Sequence, residues 1–116
     1  MAKFVFRKDE PARVVAWPCR ITVPQSGGAS EEQEISAKFR LLAPERAAEI
    51  VRGAIVQSGD VTLLKECLVG FSDLKDEAGD AVSDEISVPL MLSLPYAVAG
   101  LVRGYFDMLA GRLPKN

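Results

Sequence analysis

At 116 residues, 48% of them hydrophobic, the chain has the length of one domain and enough apolar side chains for one core. A net charge of -2, with both signs mixed along most of the sequence, gives no broad basic footprint for nucleic acid and no polybasic membrane signal. The chain contains no His, which removes Ser-His-Asp and Cys-His catalysis together with the commonest metal ligand.

The start, "MAKFVFRKDE", lacks the apolar core of a secretory signal, and no apolar run approaches the roughly 18 residues a membrane span needs. A cytoplasmic protein is the expectation. From the N-terminus to about Leu42 the pattern alternates with period two, as in a half-buried antiparallel sheet. Lys3 to Arg7 is a short candidate strand. Ala12 to Pro24 and Gln33 to Leu42 are longer ones, expected to pair as a hairpin across "QSGGASEE", a connection longer than a two-residue turn and carrying two Gly, hence expected to be a mobile tip of loosely fixed geometry. Pro18 cannot donate to a ladder, so it calls for an edge position or a bulge near Trp17.

After Leu42 the period becomes helical. Pro44 suits a first turn, Ala47, Ile50, Val51, Ala54 and Ile55 form one face, and Gly59 fits a C-terminal cap. Asp60 then caps a second expected helix, with Leu63, Leu64, Cys67 and Leu68 as its stripe and its end near Gly70. Ser87 is a candidate cap for a short turn of helix that breaks at Pro95. A final helix follows to about Ala110, lined by Val98, Leu101, Val102, Tyr105 and Leu109. Within it Gly100 and Gly104 form a small-xxx-small pair, read as close packing of a neighbouring element. The expected fold is α+β in a single domain, 1–116: an N-terminal antiparallel β-hairpin or small sheet over 1–42, then a C-terminal bundle of about four short helices over 43–116.

The motifs of common chemistries are missing. Cys19 and Cys67 lie far apart in apolar stretches and read as reduced core residues, there is no GxxxxGK[ST] loop, and no strand leads into GxGxxG. The acidic stretch from Phe71 to Glu85 invites a calcium reading. A register starting at Asp73 puts Lys75 at a ligand position and Ala78 at the glycine position; one starting at Asp76 puts Ala78 and Ala81 there. Neither fits, and an exposed ordered turn around "DEAGD", with Glu77, Gly79 and Asp80 as turn residues, is the better reading, a disordered acidic loop being the alternative. No catalytic, cofactor or metal site is expected.

Several motifs in order carry a resemblance. They are Val23-Pro24 with Gly27-Gly28, Phe39-Arg40-Leu41-Leu42, Asp60 to Phe71, Asp76-Glu77-Ala78-Gly79, Pro95-Tyr96 with Tyr105, and Lys115-Asn116. Together they resemble the tail assembly chaperones of long-tailed, siphovirus-type bacteriophages and prophages. The resemblance runs roughly from Ile21 to Asn116, leaves residues 1–20 outside, and departs at Phe71, where Trp is commoner. It implies a non-catalytic factor that binds the tape-measure protein and works with tail-tube proteins in the host cytoplasm, and that is not retained in the mature virion. It also implies relatives made in two lengths by translational frameshifting.

The alternative is a structural subunit of the virion, a tail-tube or connector protein, whose hairpin joins a sheet across subunits. The last helical segment carries more apolar side chains than one stripe needs: Met91, Leu92, Leu94, Tyr96, Phe106 and Met108. A helix sandwiched in the core explains that excess, and so does a surface for a partner or for self-association. Met91, Leu92, Tyr96, Phe106 and Met108 are the candidate anchors of such a surface.

Overall fold

The computed structural model describes residues 2–4, 13–42, 45, 46, 49 and 58–111, for residues 58–60 by backbone only. The fold is α+β, with a three-stranded antiparallel sheet and three helices among these residues. The strands are β1 (Val14–Pro24), β2 (Ser30–Arg40) and β3 (Leu68–Ser72), in the spatial order β1-β2-β3. The helices are α1 (Ser58–Cys67), α2 (Asp84–Leu92) and α3 (Pro95–Leu109). Where a bundle of about four helices was expected, three are complete among the described residues. Of the first expected helix, Glu45, Arg46 and Glu49 are helical, while its proposed apolar face lies outside the described residues. So does most of the candidate strand at Lys3 to Arg7; Ala2 to Phe4 have no regular structure.

The hairpin pairs as its alternation requires, from Val14 opposite Arg40 to Pro24 opposite Ser30. Odd-numbered positions face inward, so Cys19 opposes Ile35 and Trp17 opposes Ala37 on the core side. β2 begins at Ser30, earlier than the expected Gln33, because the connection is a compact 3-10 turn at Ser26–Gly28. Gly27 and Gly28 there adopt φ of 84° and 86°, a region closed to most side chains, and Gln25 N–H bonds to Ala29 O at 2.9 Å. Pro18 sits on β1, an edge strand of the sheet, where a missing N–H is tolerated.

The main correction falls at Leu68. The second expected helix does not run to Gly70; it ends at Cys67, and Leu68–Ser72 joins the sheet. A hairpin leaves the outer side of β2 unpaired, and a β-branched and aromatic segment beside it gains ladder bonds and core burial there. Leu68 and Phe71, three apart, would face opposite sides of a regular strand. A register shift between Lys38 and Phe39 skips Val69, so Leu68 opposes Phe39 while Phe71 opposes Ala37. Both are buried. Gly59 and Asp60 correspondingly lie inside α1 and do not separate two helices.

One core results. Leu63, Leu64 and Cys67 of α1 and Val98, Leu101, Tyr105 and Met108 of α3 close over Cys19, Ala37, Phe39 and Phe71 of the sheet. Gly100 and Gly104 let α3 approach β1. A Cβ on Gly104 would overlap Cys19 Sγ, and one on Gly100 would stand 2.6 Å from Arg20 O. Tyr105 is fully buried; its ring meets Phe39 edge-on at 5.4 Å and its hydroxyl oxygen accepts the Leu42 N–H at 3.1 Å.

Candidate interaction surface

The acidic stretch is an ordered turn. Lys75 and Ala81 form a bridge, Asp76 N–H bonds to Asp80 O at 2.9 Å, and Gly79, at φ 85°, donates to Asp76 O at 3.0 Å. Asp76 Oδ1 accepts from the Ala78 and Asp80 N–H groups at 2.9 and 3.0 Å, so that carboxylate ties the turn to itself. Among the described residues no group of three His, Cys, Asp or Glu is arranged to hold a metal ion. Cys19 and Cys67 are free and buried, and burial pushes both thiols up to about 12.

Leaving the turn, the chain enters α2 through Ser83, whose extended φ and ψ mark it as the N-cap, with Asp84 and Glu85 in the first turn. Ser87, the expected cap, lies inside the helix instead. It is buried, and its hydroxyl has no hydrogen-bond partner. Asp84 reaches across to the sheet. Its Oδ1 accepts the Phe71 N–H at 3.1 Å, and its Oδ2 lies 3.3 Å from Lys38 Nζ. The Phe71 N–H, and secondarily Lys38, hold this carboxyl below its ordinary pKa against the opposing effect of desolvation. Gly70 makes room for it, since any Cβ there would overlap the carboxylate. Arg46 forms a second clasp, a bidentate pair with Glu66 of α1. That hydrogen bonding lowers the Glu66 pKa.

The candidate anchors do not form one surface. Met108 is in the core at 8% exposure, Met91 and Leu92 are half-buried against it, and Tyr96 is half-buried in the first turn of α3. Of the five, only Phe106 is exposed, at 40%, its ring edge-on to Tyr105 at 5.6 Å. Met108 thus belongs to the core alternative. Sequence reading missed Ile86 and Leu90, 63% and 58% exposed on α2, and it set Leu109 on the apolar face of the last helix, where the structure leaves it 49% exposed in the last turn of α3. The i, i+4 spacing of Ile86 and Leu90 was a readable signal, and so was the i, i+3 spacing of Phe106 and Leu109.

No single helix among the described residues is long and apolar enough to cross a membrane; α2 and α3 meet that test only together, across a 103° bend. No family model matches the chain, and no curated protein or solved structure matches it at a significant level.

Proposed function

We propose that the chain is a non-catalytic tail assembly chaperone of a long-tailed phage or prophage, holding the tape-measure protein in the host cytoplasm until tail-tube subunits take its place. The observation that carries this reading is the pair of exposed apolar dyads at helical spacing, Ile86 with Leu90 and Phe106 with Leu109. A long helical partner with an apolar face is bound by surfaces of that kind, without any reactive group. The order of the sequence motifs supports the same reading.

The test is co-expression of tagged chain with the tape-measure and tail-tube proteins, followed by affinity capture and by analysis of purified particles. The expected result is capture of the tape-measure protein, loss of capture when Ile86, Leu90, Phe106 and Leu109 are changed to Ser, and absence of the chain from particles. The second reading, a virion subunit, is favoured by one observation: β1 is a long edge strand of the described sheet and could extend it across subunits. Recovery of the chain in stoichiometric amounts from particles would establish that reading and remove the first.

A further inference from the structure

We propose that α2 is a strap that opens independently of the sheet, with the Asp84 carboxylate as its clasp on the edge of β3. Three features make α2 the weakly held helix. Its one fully buried side chain is Ser87, whose hydroxyl is unpartnered. Its large apolar residues Ile86 and Leu90 face outward, leaving Val88, Met91 and Leu92 to pack half-buried on the core. Pro89 lies inside the helix and removes one of its backbone hydrogen bonds.

Against this stands a specific polar attachment. β3 is an edge strand of the described sheet, and its Phe71 N–H donates to the Asp84 carboxylate. Lys38 reaches the same carboxylate from β2, and Gly70 leaves the gap it occupies. The flanks permit movement as a unit: the self-bonded turn at Lys75 to Ala81 precedes α2, and the sharp bend at Ser93 and Leu94 follows it. Lifting α2 uncovers an edge strand together with the apolar inner side of the helix, while the contact of α3 with β1 stays intact.

Hydrogen exchange on the full chain at neutral pH tests this, comparing wild type with Asp84→Asn, Asp84→Ala and Lys38→Met. In the wild type, amides of α2 and of Phe71 should exchange at least about tenfold faster than those of Leu101 to Tyr105. Asp84→Asn and Lys38→Met should speed α2 and Phe71 further, severalfold, with α3 and the hairpin unchanged, and Asp84→Ala should do so most. Exchange of α2 in step with α3 in the wild type overturns the proposal, as does equal acceleration of every element in the variants. Should Asp84→Ala fail to fold, the two milder variants decide the matter in the same terms.

Discussion

Gly104 shows how much of this fold rests on the absence of a side chain. α3 lies so close to β1 that a methyl group at Gly104 meets the sulfur of Cys19, a fully buried atom with nowhere to retreat. Gly104→Ala should cost roughly 1–3 kcal/mol through overpacking. Gly100→Ala should cost at least as much, because its neighbour is the Arg20 carbonyl, which is backbone. Urea denaturation of the two variants measures both. The same close packing silences the thiols. With Cys19 and Cys67 pushed up to about 12, almost no thiolate exists at pH 8, and a thiol-exchange reagent should modify neither until the chain is unfolded. Rapid modification of one in the native protein would show that its cover opens locally. The small-xxx-small pair and the buried cysteines were legible because burial of small residues in an apolar stripe leaves few other readings.

Elements were legible where period alone decides and obscure where a tertiary partner does. The hairpin and α3 follow from alternation and from a 3.6-residue stripe. β3 did not, since Leu68 continues the helical stripe of Leu64 and Cys67, and only the open side of β2 converts it to a strand. The start of α2 was misread at Ser87, although Ser83 followed by Asp84 and Glu85 is an acidic first turn behind a capping residue. What no sequence pattern announces is that Asp84 also reaches the sheet. Its carboxyl has a folded pKa below its unfolded value near 3.8, so the unfolded chain binds the proton more readily. The stability Asp84 contributes is therefore present above that unfolded value and disappears as pH falls through the lower folded one. Wild type should exceed Asp84→Asn in melting temperature at neutral pH, with the gap closing on acidification below about pH 4. A gap independent of pH would mean that the carboxylate charge has no part in the clasp.

For the molecule as a whole, the excess of apolar side chains in the last helical segment divides between interior and surface. Period alone could not make that division, because Phe106 and Met108 flank the Val98 to Leu109 stripe on opposite sides, and the buried face of α3 is turned toward the side of Gly100, Gly104 and Met108. Separate substitutions now have opposite expectations. Met108→Ser opens a cavity and places a hydroxyl in the core, which should cost roughly 2–5 kcal/mol and destabilise binding only through unfolding. Phe106→Ser gives up an exposed ring and its edge contact with Tyr105, a loss of about 0.5–1.5 kcal/mol beyond the area involved, and the protein should stay folded. If the exposed dyads form the partner surface, Phe106→Ser and Leu90→Ser should each weaken tape-measure capture in a chain whose denaturation curve remains cooperative. Met108→Ser should weaken capture only in proportion to the fraction unfolded. Capture that survives Phe106→Ser and Leu90→Ser together, in a folded chain, would move the partner surface away from these helices and toward the edge of β1.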